Sequence, residues 1–165
     1  MAERSLFSPR VIKTTDRALI SSVIVASAMA LIQPFEGVRT DPYKDIVGVW
    51  TVCAGETRVP MRRYSRAECD AMLRRAIEGD YGRGVLAAVP GLQTRPGPFI
   101  ASISLAYNIG VPAFARSTAA RRFQAGDWQG GCEAFLLWDK AGGKTIPGLV
   151  RRRRAERAVC LKGLD

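Results

Sequence analysis

Residues 34–57, PFEGVRTDPYKDIVGVWTVCAGET, carry Glu36, Asp45 and Thr51, nine and then six residues apart, in one glycine-rich, strand-like stretch. Two carboxylates facing each other across a cleft can divide acid–base work. One, in apolar surroundings, keeps its proton and acts as the acid; the other stays ionised as base or electrostatic stabiliser, and a neighbouring hydroxyl can hold a water. Spacing alone does not select that chemistry, because carboxylates nine residues apart are common and mostly solvated. Composition narrows the choice. The chain has no histidine, which removes Ser-His-Asp triads, His-assisted cysteine nucleophiles and His-containing zinc sites. Acid–base work then falls to carboxylates, Lys, Tyr or Cys. Cys53, Cys69, Cys132 and Cys160 lack the C-x-x-C spacing of a zinc ribbon or a redox motif. They read as two disulfides, with four buried thiols as the alternative. No metal and no cofactor is expected.

The elements that must position these groups are read from period, caps and breakers. An apolar run, Ala18 to Ile32, leads towards Glu36, and Gly37 breaks its helical pattern. Asp45 to Gly48 supplies turn chemistry before the β-branched and aromatic run Val49 to Cys53, which reads as a small hairpin or sheet. Glu36 at a helix end, Asp45 on the following loop or strand and Thr51 one strand further in can then share a cleft. Ser65-Arg-Ala-Glu68 is a capping box opening a helix that continues towards Val89 despite Gly82 and Gly84 and stops at Pro90-Gly91. From Phe99 onward the pattern predicts only helices. One ends near Gly110; Ser117 caps the next, which Gly126 ends; Asp127 caps another, which Gly142-Gly143 ends; a last one follows Pro147 to about Leu161. The plan is α+β, a sheet-bearing lobe and a larger helical lobe joined by a long helix, with a groove between them suited to an extended substrate.

At 165 residues one compact unit is expected. Twenty-five Lys plus Arg against 15 Asp plus Glu give a net charge of +10, which favours polyanionic surroundings: nucleic acid, anionic lipid or an acidic wall polymer. The run Ala18 to Ile32 follows Arg4, Arg10, Lys13 and Arg17 and resembles an export signal. As a helix it spans about 22 Å, short of the roughly 30 Å hydrocarbon core. Three readings stand: an uncleaved weak anchor, a buried first helix, and a signal cleaved at Ala26-Ser27-Ala28 or Ala28-Met29-Ala30, which would remove most of the helix that positions Glu36. The basic leader favours a cytoplasmic N-terminus and an exported body, where disulfides persist.

Several motifs occur together and in order. They are Phe35-Glu36-Gly37, Arg39, Tyr43-Lys44-Asp45 and Trp50-Thr51, then Tyr107-Asn108-x-Gly110, Phe114, Ser117-Thr118 and Gly126-Asp127. Trp138, Ala141-Gly142-Gly143 and Gly148-Leu149-Val150-x-Arg152-Arg153-x-x-Glu156-Arg157 complete the series. Over residues 30–162 the chain resembles the phage lysozymes, whose Glu, Asp and Thr form a catalytic triad at this spacing. Its weak N-terminal anchor and its four cysteine contexts resemble the signal-anchor-release endolysins of lambdoid phages. There are two departures: relatives often carry His where Glu56 stands, and here the apolar run passes almost directly into Glu36 without a glycine-rich spacer.

The resemblance implies a muramidase that hydrolyses the β-1,4 bond between N-acetylmuramic acid and N-acetylglucosamine with inversion, for host lysis. Glu36 would be the general acid, with Phe35, Trp138 and the valines of the sheet as its apolar setting. Asp45 would be base or stabiliser, and Thr51 would position water. Arg152, with Arg153 second, would orient Glu36 by ion pairing, and Asn108 would meet a sugar N-acetyl group or serve the helix end; Arg151 and Arg154 read as solvated. Tyr43 and Trp50 read as sheet packing, and Asp41 as a turn residue without a role. Of three possible pairings, Cys53–Cys69 and Cys132–Cys160 each tie neighbouring segments. The domain division expected is a leader and anchor over 1–33 and a catalytic body over 34–165, with the sheet lobe about 36–65 and the helical lobe about 90–165. The partners expected are peptidoglycan strands and the inner membrane, the latter before release to the periplasm, with no nucleic acid, and the protein a monomer. The rival readings are a lytic transglycosylase, which needs the Glu but no water-holding Asp, and a basic binding protein for membrane or nucleic acid.

Overall fold

The computed structural model describes residues 20–45 and 48–164. The basic leader, Ala18, Leu19, Ile46 and Val47 lie outside the described residues. Helix α1, Ser22–Glu36, begins where the Ser21 hydroxyl accepts from the Ile24 amide and ends at Gly37, which has a φ of 63°. It buries Ile24, Val25, Ala28, Met29 and Ile32 against a central helix, α4. Two strands follow, β1 (Arg39–Lys44) and β2 (Trp50–Cys53), paired antiparallel with Tyr43 opposite Thr51 and a register shift between Arg39 and Tyr43. Pro42 sits in that irregular stretch, where a missing ladder donor is tolerated. Asp41, read as a turn residue, instead lies within β1 and faces Arg63 at 3.7 Å. Trp50 is 52% exposed rather than packed.

The capping box at Ser65 opens α2, Arg66–Ala76, with both reciprocal hydrogen bonds formed. The axis continues through a π-helical turn, Ile77–Tyr81, into α3, Gly82–Ala88. Gly82 and Gly84 are kept because neighbours approach them closely. A Cβ at Gly82 would lie 2.4 Å from Ile20 Cδ1, and one at Gly84 would lie 2.6 Å from Val111 Cγ1.

Helix α4, Pro96–Ile109, is buried from Gly97 through Ala106. A helix apolar around its whole circumference belongs at the centre of a bundle. Around it lie α5 (Val111–Ala115), α6 (Thr118–Gln124), α7 (Trp128–Glu133) and α8 (Pro147–Lys162), with Phe99, Phe114, Phe123 and Phe135 fully buried between them. One sequence expectation fails here: α7 stops at Glu133, passes through a 3-10 turn (Ala134–Leu137), and Gly142-Gly143 does not end a helix. Those glycines, at φ of 56° and 76°, turn a short hairpin of β3 (Lys140–Ala141) and β4 (Lys144–Thr145). Two successive positive φ values make the hairpin turn that glycine pairs favour. Cys53 is bonded to Cys69, and Cys132 to Cys160. Among the described residues no helix is long and apolar enough to cross a membrane.

The crossing of α4 and α8 depends on a glycine contact. A Cβ at Gly97 would stand 2.6 Å from both Gly163 Cα and the Val159 carbonyl oxygen, and backbone cannot yield as a side-chain tip can. Gly97→Ala is expected to lower unfolding free energy by about 1–3 kcal/mol, as overpacking does, measured by urea denaturation.

Candidate active site

Helix α1 delivers Glu36 at its last turn and α8 delivers Arg152 from its second. Arg152 Nη1 donates to Glu36 Oε1 at 2.5 Å. The guanidinium side chain is 4% exposed and the carboxylate 23%, so the pair has one buried and one partly exposed end. Phe35 lies beneath the same guanidinium, its ring centroid 5.6 Å from Cζ.

Behind Glu36 is a polar cluster inside the helical lobe. Arg152 Nε donates to Glu156 Oε1 at 3.1 Å, and Arg152 Nη2 to the Ser104 carbonyl at 3.2 Å. The Ser104 hydroxyl donates to Glu156 Oε1 at 2.6 Å. Arg153 Nε lies 3.1 Å from Glu156 Oε2, and Arg153 Nη2 donates to Asn108 Oδ1 at 2.8 Å. Arg153 and Glu156 are fully buried, while Asn108 is exposed at the end of α4. Burial holds the Arg153 guanidinium down to about 10, still charged at neutral pH. Burial pushes the Glu156 carboxyl up, opposed by Arg153, the Ser104 hydroxyl and Arg152.

The hairpin links Asp45 and Thr51 through the backbone of one residue, Val49. Asp45 Oδ1 accepts from the Val49 amide at 2.8 Å, and the buried Thr51 hydroxyl donates to the Val49 carbonyl at 3.1 Å. The backbone closes the same turn, with the Asp45 amide donating to the Val49 carbonyl at 2.9 Å.

A cavity of about 340 Å³ opens between the sheet lobe's loop Gly55–Arg58 and the helical elements that carry Asp80, Tyr81, Tyr107 and Val111. Glu56 Oε1 accepts from the amides of Thr57 and Arg58, and Arg58 reaches across to Asp80 at 3.0 Å. The Glu56 carboxylate thus folds its own loop. The Tyr107 hydroxyl donates to the Ala54 carbonyl and its ring packs on Tyr81 at 4.8 Å, which fastens α4 to the sheet lobe. Burial pushes the Tyr107 hydroxyl up, and the charge of Glu36 adds to the effect.

The structure thus joins Glu36, Arg152, Arg153 and Asn108 in one connected set and Asp45 and Thr51 in another. Trp138 caps the 3-10 turn and packs, partly buried, against the core. Arg151 and Arg154 are exposed. Sequence reasoning gave no role to Glu156 or Ser104. The spacing of Glu156, four residues after Arg152 and three after Arg153, was the available signal.

A sheet lobe and a helical lobe with a cavity between them, and a partly exposed carboxylate held by a buried guanidinium, fit a glycan-cleaving type of enzyme. The family model for phage lysozyme matches residues 33–156. Curated relatives include the SAR-endolysin of Enterobacteria phage PA-2, 40% identical over 134 residues and 78% of each chain. Another is the SAR-endolysin of Bacteriophage PS34, 35% identical over 94% of this chain and 97% of that one. Among solved structures, the active form of the P1 phage endolysin Lyz superposes with a TM-score of 0.74 at 26% identity, over 90% of this chain and 95% of that chain. The chain belongs to the phage lysozyme family. It is a glycoside hydrolase, a muramidase endolysin whose substrate is peptidoglycan.

Tyr107→Phe is expected to cost about 1 kcal/mol at neutral pH by leaving the Ala54 carbonyl without its donor. A tyrosine whose folded-state value is raised contributes stability below its ordinary value of about 10 and loses it as pH rises further. The variant should therefore show a shallower alkaline decline above about pH 10, followed by circular dichroism in urea at stepped pH.

Proposed function

We propose that Glu36 is the general acid, that Asp45 is the base or electrostatic stabiliser, and that Thr51 positions the attacking water, with inversion at the anomeric carbon. The observation that carries this reading is the Arg152–Glu36 pair at the mouth of a buried charge cluster. A carboxyl anchored on one oxygen presents the other in a fixed direction, as proton donation to a glycosidic oxygen requires. In the hairpin, the backbone of Val49 couples Asp45 to Thr51. That coupling supports a carboxylate and a hydroxyl acting on one water. Arg153 holds the oxygen of Asn108, which suits its amide N–H group to donate to an acetamido carbonyl. Trp138 supplies part of the apolar setting of Glu36, and the enzyme acts as a monomer.

The relatives called SAR-endolysins support a membrane-held stage for this chain. In this reading the segment up to Ile32 anchors the protein in the inner membrane, N-terminus cytoplasmic, and release to the periplasm lets α1 dock. The buried face of α1 suits the docked stage, and its alanines and serines keep the membrane hold weak.

Glu36→Gln and Asp45→Asn should each lower turnover on purified peptidoglycan by roughly 10²–10⁴-fold, followed by turbidity loss. Products of the wild type should carry a reducing-end muramic acid; an anhydro sugar would mean transglycosylation instead. Insertion of Leu residues into the segment Ala18 to Ile32 should keep the protein in the membrane fraction and delay lysis, and unchanged lysis timing would end the release reading.

A further inference from the structure

Glu156 is a fully buried carboxylate placed between two buried guanidiniums, and each of those reaches a different residue at the cleft. Through Arg152 it connects to Glu36, and through Arg153 to Asn108. As a device for stability this arrangement is poor. Arg153 Nε and Nη1 and Glu156 Oε2 are buried without a protein hydrogen-bond partner, so the Arg153–Glu156 contact is a charge pair rather than an aligned hydrogen bond. Incompletely satisfied buried ion clusters are commonly matched or exceeded in stability by apolar side chains of similar volume. What apolar residues cannot supply is two oriented guanidinium arms and a fixed charge balance.

The balance is legible from the residues present. Glu36 and Glu156 offset Arg152 and Arg153, so the group at the cleft edge sees a cluster of net charge +1 while it is itself ionised. The charge of Glu36 also bears on the hydroxyls of Tyr107 and Tyr81. From α4, Glu156 also meets the Ser104 hydroxyl, and Tyr107 senses Glu56.

We infer that Glu156 is a positioning residue for the hydrolysis, a shared buried counter-ion that aims Arg152 at Glu36 and Arg153 at Asn108 and sets the net charge that Glu36 meets. This rests on the reading of Glu36 as the acid. Without the charge of Glu156, two guanidiniums would face Glu36 alone and favour its ionised form. The acid would then be spent at lower pH.

The test uses the full-length protein and the pH profile of kcat/KM on purified peptidoglycan. Glu156→Gln keeps the shape and an oxygen for Ser104 but removes the charge. Its alkaline limb should move down by about one pH unit, a roughly tenfold loss on that limb. Glu156→Asp, which keeps the charge, should leave the limb near the wild-type position. Arg153→Gln should move the limb the other way, and Arg153→Gln with Glu156→Gln should return it. Should Glu156→Gln alone not fold, the comparison of Arg153→Gln with the double variant measures the same charge. A limb that stays put in Glu156→Gln, or that coincides in those two variants, overturns the inference. Glu36→Gln separates the two levels: if it is inactive while the limb is unmoved, only the role of Glu156 falls, and if it is active, the acid assignment falls first.

Discussion

A guanidinium 4% exposed is the constraint from which the rest of the architecture follows. Taking an arginine out of water costs several kcal/mol, and only well-placed anions and carbonyls offset that cost. Arg152 finds them on three elements: Glu36 from α1, the Ser104 carbonyl from α4 and Glu156 from its own helix. Those elements must therefore arrive at one point, and the backbone shows how. Gly97 and Gly163 let α8 lie against α4, and the face of α1 from Ile24 to Ile32 seats that helix on α4. The position of Glu36 is thus a result of helix packing rather than of loop conformation.

Helix α1 serves two demands that pull on the same residues. Its inward face needs enough apolar surface to dock, and the proposed membrane stage needs that surface not to be too apolar. Ala28 packs on the inward face, and Ala26, Ser27 and Ala30, exposed or half-buried, are small side chains that contribute little to lipid partitioning. Val23, 70% exposed in the docked helix, is apolar surface the body leaves uncovered. Pro34 lies inside the last turn and Gly37 ends the helix directly after Glu36, so Glu36 is held by the helix end and by Arg152. While α1 is elsewhere, Arg152 keeps Glu156 and Ser104 but lacks Glu36, so docking of the helix and completion of the site are one event in the proposed scheme.

Local chemistry made most of the fold legible. The capping box at Ser65, the caps at Ser117 and Asp127 and the breaks at Gly37 and Gly110 act through hydrogen bonds within a few residues, and each is found in place. The expectations that failed were decided by context beyond a few residues. The helix expected from Asp127 up to Gly142-Gly143 stops at Glu133, and the two glycines, with adjacent positive φ values, turn a hairpin instead. The π-helical turn at Ile77–Tyr81 has no sequence signal of its own. For the site, the meeting of Arg152 with Glu36 spans 116 residues of sequence, and only the resemblance pointed to it. Glu156 was harder still, since a glutamate among arginines on a helix is ordinarily a solvated pair, and charged residues are almost never fully buried.

The second disulfide belongs to the same problem. Arg152, Arg153, Glu156 and Cys160 are the buried residues of α8, and 152, 156 and 160 fall at four-residue steps along one stripe. A helix whose inward stripe is mostly charged gains less from hydrophobic burial than its length suggests. Val159, Leu161 and Leu164 supply apolar contact near its C-terminal end, and the bond from Cys160 to Cys132 fixes that end to α7. With the C-terminal half held covalently, the charged half has one way to lie: two guanidiniums inward on either side of Glu156. The bond persists only in an oxidising compartment. The helix that carries the counter-ion cluster is therefore secured under the conditions that prevail where peptidoglycan is found.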